Sequence, residues 1–301
     1  MIGGFQPKMI AVGAVCASTV YAVTQVPMLP AKLIASKAVR VVDGMAVSAA
    51  CAFRKLGGQA AIWTRTGDDA EGRHIRASLQ EEGLDVAGVR MIPGAASSHC
   101  CVVVDAKGER LVIPYHDAAV DPSPDWLPLG DLSSVDFLHC DVRWPEGAEA
   151  ALRAAAAIGL PAMLDGEVAP VATLRRLAPL ARYAVFSDDG LYTYTGESSI
   201  EPALRKAAAL NAGHVGASCG KQGYFWLEEG ALRHCPAPVV DVVDTLAAGD
   251  VFHGALALAL AEARPMAAAV RFAVVAASLK CRTFGGRLGC PTRDEVEAAG
   301  G

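Results

Sequence analysis

The chain has 301 residues, of which 52% are hydrophobic and only 6% aromatic, and its formal net charge at pH 7 is −5. A chain of this length can form one large α/β domain or two smaller domains. The negative charge, without a basic cluster, argues against a nucleic-acid surface. No apolar run reaches the roughly 18 residues that a membrane span needs.

The cysteines and histidines argue against a disulfide framework and against a zinc site. The nine cysteines are odd in number and scattered, no C-x-x-C occurs, and the seven histidines are dispersed. Cys100 and Cys101 are adjacent on a predicted strand, where neighbouring side chains point to opposite faces. This usage fits a reduced compartment, so we expect the protein in the cytoplasm.

The amino-terminal segment has two interpretations. Lys8 is followed by the apolar run 9–20 and by Val20-Tyr21-Ala22, which imitates a signal peptide with its cleavage site. The same residues fit a first buried strand. The free cysteines favour the strand, because they argue against export.

Strand-length apolar runs alternate with alanine-rich stretches of helical period along most of the chain. The predicted strands cover 9–15, 60–63, 137–140, 162–164, 183–186 and 214–217, and the predicted helices cover 46–56, 72–82, 149–158, 171–180 and 200–210. The alternation predicts an α/β fold with a mostly parallel central sheet and helices on both faces.

Two regions, about 16–42 and 98–115, break this alternation, because they read as strand pairs without an intervening helix. The second contains a hairpin turn at residues 105–108. We expect a small β-sheet lid that closes over the carboxyl ends of the parallel strands. No linker or internal repeat interrupts the chain, so we expect residues 1–301 to form one domain.

The stretch 244–256, with the sequence DTLAAGDVFHGAL, carries the strongest functional signal. It follows an apolar run at 239–243 that predicts a strand, and it opens an Ala/Leu-rich helix whose first turn contains Asp250. Amides at a helix N-terminus lack intrahelical partners and can hold an anion. A carboxylate beside that anion can deprotonate an alcohol, which is what a small-molecule kinase needs. The alternative is an ordinary Asp cap on a buried helix.

The chain resembles the ribokinase-like carbohydrate kinases, often called the PfkB family, over residues 9–295, and 244–257 fits the carboxy-terminal signature of that family. The Gly-Ala-Gly-Asp core of the signature is present as Ala247-Ala248-Gly249-Asp250. The resemblance implies ATP as phosphoryl donor, Asp250 as catalytic base, and the amides of Ala247, Ala248 and Gly249 as the γ-phosphate site. Alanine at 247 restricts the backbone angles that glycine would allow.

Further segments extend the resemblance to the nucleotide site. Residues 218–223, SCGKQG, look like the nucleotide loop of the family, although two glycines at this spacing can also mark an ordinary turn. Segment 57–72 looks like the amino-terminal region of the family, or is a loop with surface carboxylates. The implied nucleotide contacts are Ser187, Ser218, Gly220, Gly223, Val274 and Ala277.

One departure concerns magnesium. The Asn-x-x-Glu motif of the family, which helps to hold Mg²⁺ near the phosphates, is replaced by Ser187-Asp188-Asp189-Gly190, so the glutamate is missing. Asp188 or Asp189 could substitute, because Mg²⁺ takes carboxylate and water oxygens. The alternative for both is a solvated surface position.

Other departures concern the sugar. Ser18 stands where the family has a sugar-binding Asp, Asp43 follows Val42 in place of a Gly-Gly pair, and Gly44 comes next. Asp43 could take over hydroxyl binding. These residues indicate a substrate other than an ordinary ribose-like sugar.

Within the family, the nearest likeness is to bacterial sulfofructose kinases. It rests on the segments 141–144, 164–166, 213–215, 252–256, 279–281 and 285–287. Lys32 and Arg143 match positions that would meet the anionic tail of the substrate in those enzymes, as suits an ammonium and a guanidinium. The alternatives are a solvated lid residue for Lys32 and a structural ion pair for Arg143. Pro114 replaces a polar Asn and cannot donate.

We therefore expect an ATP- and Mg²⁺-dependent kinase for an anionic or modified sugar, with sulfofructose as one candidate. A nucleoside kinase on the same scaffold and a catalytically weak sugar-binding or regulatory protein are the rivals. A nicotinamide-dependent dehydrogenase is set aside, because no G-x-G-x-x-G follows the first strand. Family likeness also implies a homodimer clasped through the lids, since exposed lid strands need covering.

Overall fold

The computed structural model describes residues 5–27, 30 and 32–301. The thirteen strands within this part of the chain are β1 Lys8–Val12, β2 Cys16–Ala22, β3 Lys37–Asp43, β4 Gln59–Gly67, β5 Val89–Ile92, β6 His99–Val104, β7 Arg110–Tyr115, β8 Phe137–Cys140, β9 Ala162–Gly166, β10 Tyr183–Ser187, β11 His214–Ser218, β12 Tyr224–Glu228 and β13 Ala231–Cys235. The α-helices are α1 Met45–Lys55, α2 Ala70–Glu81, α3 Pro145–Ile158, α4 Val171–Leu177, α5 Asp188–Thr195, α6 Ile200–Leu210, α7 Ala248–Ala261, α8 Met266–Lys280 and α9 Arg293–Ala298.

Nine strands form the central sheet in the order β13-β12-β11-β10-β9-β8-β1-β4-β5. Pairing is parallel from β5 to β11, and only β12 and β13 join antiparallel. One hydrophobic cluster packs α1, α2, α7 and α8 on one face, and another packs α3 to α6 on the opposite face. The predicted α/β class with helices on both faces is confirmed.

The four strands β3-β2-β6-β7 form a separate sheet. They come from the two segments that break the β-α alternation, so the predicted lid is confirmed; residues 28, 29 and 31 of its first segment lie outside the described residues. Its inner face buries Val20 and Val102 and packs against Leu246 and Phe284, which lie in the loops around α7 and α8. The lid therefore rests on the turn that opens α7.

The predicted strand at 239–243 is wrong. This segment has no strand pairing, and Val239 is fully exposed. Strand β13 ends at Cys235, and the run that follows crosses to the lid, where Val242 lies beside Gly108 of the β6–β7 hairpin. An apolar run becomes a strand only when a neighbouring strand offers backbone partners, and here none does among the described residues.

The amino-terminal segment forms β1 and the start of the lid, as the strand interpretation predicts. Over the described part of the chain, no helix is both long and apolar enough to cross a membrane.

Candidate active site

Carboxylates from several elements converge at the carboxyl edge of the central sheet. Asp141 follows β8, Asp165 lies in β9, and Asp43 ends β3 of the lid, while Asp250 stands in the first turn of α7. Burial raises the pKa of the Asp250 carboxyl well above its usual range, and the charges of Asp43, Asp141 and Glu167 raise it further. Like charges disfavour ionisation of one another at close range, so this edge holds a carboxyl whose proton affinity suits a general base.

The turn before α7 presents main-chain amides beside Asp250. Ala247 is the N-cap with φ 61° and ψ 15°, a left-handed conformation that alanine adopts at a cost of about 1 to 2 kcal/mol. The amide of Ala248 donates to the Thr245 carbonyl at 3.2 Å. The amides of Ala247, Gly249 and Asp250 have no acceptor among the described residues, so three donors are available to an anion.

Asp244 fixes the loop that leads into this turn. Its fully buried carboxylate accepts from the amides of Leu246 at 2.8 Å, Gly285 at 2.9 Å and Gly286 at 2.8 Å. The buried Lys280 ammonium lies 3.7 Å from Asp244 Oδ2 and donates to the Asp244 carbonyl at 2.6 Å. This clamp ties the α7 turn to the end of α8, and its role could not be read from the motif alone.

Ser18, Cys16 and Asp43 share one patch of the lid base. Cys16 and Asp43 are register partners on β2 and β3, and the Cys16 thiol lies 3.3 Å from Ser18 Oγ. Burial, followed by the charge of Asp43, raises the pKa of the Cys16 thiol to about 12, so the thiol stays protonated. Asp43 also accepts from Gly44 N at 2.9 Å and from the Ser48 hydroxyl. The structure thus brings Ser18, Asp43 and Gly44 together.

Gly44 must be glycine for two reasons. Its φ of 126° is unfavourable for other residues, and a Cβ would lie 2.4 Å from the Ala14 carbonyl oxygen. This close approach places the N-terminus of α1 against the end of β1. Buried Asp141 joins the same point, because its carboxylate accepts from Ala14 N at 2.8 Å and Ala46 N at 3.1 Å.

Arg143 does not form the structural ion pair considered as its alternative. Its backbone amide donates to Asp141 Oδ1 at 2.7 Å, but its guanidinium donates to the Val168 carbonyl at 3.0 Å. Within the described ranges, this exposed guanidinium contacts no carboxylate. The other predicted cation, Lys32, is exposed and has no recorded contact with Arg143, and positions 28, 29 and 31 beside it lie outside the description.

The lid contributes a cation that the sequence reasoning missed. Arg110 begins β7 and its guanidinium donates to Thr245 Oγ1 at 2.7 Å, across the top of the α7 turn. Its charge lowers the pKa of Asp250, against the larger effect of burial. The hairpin position of Arg110, directly after a Gly-Glu pair, gave no sequence signal for this contact.

The predicted nucleotide residues fall on two neighbouring strands and one helix. Ser187 and Ser218 are register partners at the ends of β10 and β11. Gly220 begins a 3-10 turn, where an added Cβ would meet open space, whereas a Cβ on Gly223 would lie 2.1 Å from the Cys235 carbonyl. Val274 and Ala277 lie on α8, where Val274 is buried in the core and Ala277 is partly exposed.

Glu167 is the second residue that the sequence reasoning missed. It follows β9 directly, and its Oε1 accepts from the Ser187 hydroxyl at 2.9 Å and from Val168 N at 2.7 Å. Gly190 could not carry a side chain here, because a Cβ would lie 1.9 Å from the Gly166 carbonyl oxygen. A carboxylate therefore reaches Ser187 from the neighbouring strand, in the region where the glutamate of the familiar motif is absent.

Asp188 and Asp189, the two weak magnesium candidates, open α5. The Asp188 carboxylate accepts from Asp189 N at 3.0 Å, and Asp189 is exposed. Among the described residues, neither carboxylate hydrogen-bonds to the Ser187 hydroxyl, whose partners are Glu167 Oε1 and Gly190 N. Across residues 5–27, 30 and 32–301, no group of three or more metal-ligating side chains is preassembled.

Two buried histidines lie beneath Asp165. The Nε2 atom of His253 is 3.3 Å from Asp165 Oδ1, and the ring centroids of His253 and His139 are 5.5 Å apart. Burial lowers the pKa of His139 to about 4, and it lowers that of His253 well below its usual range. Both rings are therefore neutral at physiological pH.

A groove of about 470 Å³ lies at the opposite, amino-terminal edge of the sheet, lined by residues that include Lys8, Gln59, Asp85 and Asp131. None of the predicted site residues lines it. The converging carboxylates lie instead at the carboxyl edge of the sheet.

Comparisons with known proteins agree with this geometry. Residues 8–293 match the model of the pfkB family of carbohydrate kinases. A ribokinase of Bacillus subtilis (strain 168) is 29% identical over 263 residues, which cover 85% of this chain and 87% of that protein.

Two solved structures have the same fold. A protein of Agrobacterium tumefaciens, provisionally named as a ribokinase, is 39% identical with a TM-score of 0.95, covering 98% of this chain and 97% of its own. An E. coli protein provisionally named as ribokinase II, in complex with ATP and Mg²⁺, is 18% identical with a TM-score of 0.83, and the match covers 98% of each chain.

Proposed function

Because the chain belongs to the PfkB family of carbohydrate kinases, we propose that it transfers the γ-phosphoryl group of ATP to a hydroxyl of a sugar that carries an anionic or otherwise modified group. The family makes the chain a phosphotransferase with an alcohol acceptor. Asp250, with its raised pKa beside unpaired amides under the lid, is the observation that carries the proposal.

Asp250 accepts the hydroxyl proton as the alcohol attacks. The amides at the start of α7 hold the transferring phosphate, with Ala247 and Gly249 as the donors that remain free and Ala248 available once its 3.2 Å bond opens. The lid covers this turn, because Arg110 of β7 donates to Thr245 and the apolar face of the lid packs on Leu246. In this position the lid excludes water. Phosphoryl transfer depends mainly on positioning and charge stabilisation, and these residues supply both.

The residues present fit ATP and Mg²⁺. Ser187, Ser218, Gly220 and Gly223 form the nucleotide edge, with Val274 and Ala277 on α8 beside it. Within the described part of the chain, Glu167 Oε2 accepts no hydrogen bond, so this carboxylate supplies a hard oxygen where position 190 cannot. When bound, Mg²⁺ would neutralise phosphate charge; Asp188 and Asp189 stay as weaker candidates for holding it.

The residues of the proposed sugar site favour a sugar that carries an anionic group. Ser18 and Asp43 offer hydroxyl-binding groups at the lid base, and Arg143 adds a guanidinium free of carboxylate partners. Such a fork binds planar or tetrahedral oxyanions bidentately. These contacts support a sugar phosphate, sulfonate or acid, and sulfofructose is one candidate. Lys32 of the lid is proposed as an additional point charge.

Coupled ADP-release assays over neutral, phosphorylated, sulfonated and acidic sugars test the proposal. Asp250→Asn should lower turnover by a factor on the order of 10² or more while sugar binding stays near wild type. Asp241→Asn, at an exposed position nine residues earlier, is the matched control. Unchanged turnover in Asp250→Asn would remove that residue from its role.

The same assays separate the rivals. Phosphorylation of adenosine or inosine in preference to every sugar would identify a nucleoside kinase. Thermal stabilisation by a sugar without ADP release would identify a binding or regulatory protein.

We also propose a homodimer through the lid. All six residues of β7 are exposed, and four are large and apolar: Leu111, Val112, Ile113 and Tyr115. An uncovered apolar edge strand favours association with another strand. Sedimentation equilibrium should give a dimer that Ile113→Lys converts to a monomer.

A further inference from the structure

Three side chains with donor groups belong to separate elements near the sugar site. Arg65 lies in β4, Arg143 follows β8, and His116 follows β7 at the end of the lid. The segment after His116 runs along the other two elements, since Arg65 Nη1 donates to the Asp121 carbonyl at 3.0 Å and Trp144 Nε1 donates to the Pro122 carbonyl at 2.9 Å.

The Arg65 guanidinium is held against an aromatic ring and forms no ion pair within the described residues. It stacks over Trp144, with Cζ 4.2 Å from the ring centroid, and its buried Nε atom has no hydrogen-bond partner among the described residues. Buried polar atoms are nearly always hydrogen-bonded. The Nε atom is closed to solvent, but Nη2 also has no partner among the described residues and is not buried, so a ligand acceptor would reach this guanidinium through Nη2.

The carboxylates of Asp121, Glu146 and Asp141 all act on the charge of Arg65, but each also has another partner, and Asp121 Oδ1 accepts from Ser123 N at 2.9 Å. Asp141 is buried and accepts from three backbone amides, and Glu146 lies 3.7 Å from the guanidinium of Arg176. Neither Arg65 nor Arg143 pairs with a carboxylate within the described part of the chain. Neither guanidinium is therefore held in an ion pair that would have to break before a ligand oxyanion binds.

His116 completes the arrangement from the lid. Its Nδ1 lies 2.9 Å from Ser98 Oγ, which leaves Nε2 available. Burial, followed by the charges of Arg143 and Arg65, lowers the pKa of this imidazole.

We propose that Arg65, Arg143 and His116 form one pocket for the anionic group of the sugar, a tetrahedral oxyanion such as a phosphate or sulfonate, so that Arg65 and His116 determine specificity together with Arg143. This inference rests on the proposed kinase function. Because His116 belongs to the lid, the anion also links the lid to the central sheet when the sugar binds. In this arrangement Arg65 contacts the end of the sugar that does not react.

Arg90 provides a matched control. It is the register partner of Arg65 on the neighbouring strand β5, and it stacks over Trp126, with Cζ 5.2 Å from the ring centroid. Trp126 in turn stacks on Trp144. Arg65→Met and Arg90→Met therefore each remove one arginine–tryptophan cation–π contact, but only Arg65→Met removes a donor from the proposed pocket.

The experiment measures equilibrium binding by calorimetry, without ATP, of D-fructose, D-fructose 6-phosphate and 6-deoxy-6-sulfofructose. We expect Arg65→Met to weaken binding of the phosphate or sulfonate by about 10-fold or more and to leave fructose unchanged. Arg90→Met should leave all three unchanged. His116→Ala should weaken the binding of the anionic sugars only. The melting temperature of each variant shows whether it is folded.

Several results would overturn the pocket. They are equal weakening of neutral and anionic sugars in Arg65→Met, the same effect in Arg90→Met, or a wild-type protein that binds none of the anionic sugars. ADP release with neutral sugars alone would sink the pocket while the kinase function stands. Selective binding of anionic sugars without ADP release would support the pocket and reject the kinase function.

Discussion

The clamp around Asp244 gives a quantitative prediction. Asp244→Ala removes a carboxylate that accepts three backbone N–H groups and leaves the Lys280 ammonium buried beside a carbonyl only. Breaking a buried ion pair from one side costs about 3 to 5 kcal/mol, because the remaining charge stays uncompensated. Each lost hydrogen bond to a charged group is worth about 1.5 to 3 kcal/mol, but these contributions overlap with the ion pair. We expect a net loss of about 4 kcal/mol.

The expected loss translates into a melting shift. Unfolding entropy is about 2.1 cal/mol/K per residue, which for 301 residues gives about 0.6 kcal/mol/K. Asp244→Ala should therefore lower Tm by about 6 °C in a thermal scan, and it should lower the urea midpoint. Asp241→Ala, on the same loop but exposed, should change stability by less than about 0.5 kcal/mol.

A double variant tests the physical reason. Asp244→Ala combined with Lys280→Met removes both charges and should recover a large part of the lost stability, since an apolar pair can replace a buried ion pair. The reasoning is refuted if Asp244→Ala is as harmless as Asp241→Ala, or if the double variant is less stable than Asp244→Ala alone.

Two further predictions follow from the site. Asp250 acts as a base only when ionised, so kcat/KM should be full above its raised pKa and fall as pH decreases through it; Glu167→Gln removes a negative neighbour and should move this acid limb to lower pH, whereas Arg110→Met should move it to higher pH. A shift of both profiles in one direction would contradict the assignment. Gly190→Ala places a methyl group 1.9 Å from a backbone carbonyl oxygen and should lower Tm by several degrees, whereas Gly130→Ala, which faces open space, should leave Tm unchanged in the same scan.

The sequence predicted the elements whose hydrophobic pattern is complete within one segment. The strand at 137–140 and the helix at 200–210 have the bounds that were expected, because their apolar periods are complete within each segment. The run at 239–243 was misread for the converse reason. Its residues have the composition of a strand, but β13 already occupies the edge of the central sheet. The segment runs instead beside the β6–β7 hairpin of the lid, where it pairs with no strand.

The same distinction separates the found and the missed site residues. Asp250 and its turn were visible because the base and the amides belong to one local motif. Glu167 and Arg110 were not, because each acts on a residue far along the chain, Ser187 and Thr245 respectively. Arg65 was hidden for the same reason, since its place beside Trp144 depends on how β4 and β8 flank β1.

The apolar underside of the lid sets how often the cleft opens. Swinging the lid away would expose Val20, Val102, Leu246 and Phe284 to water at about 25 cal/mol per Å² of apolar surface. The empty enzyme should therefore spend most of its time shut, and a sugar would enter only during brief excursions. Lid opening would then limit sugar binding. The association rate of the sugar would lie below the diffusional ceiling and would depend on how well these four side chains pack.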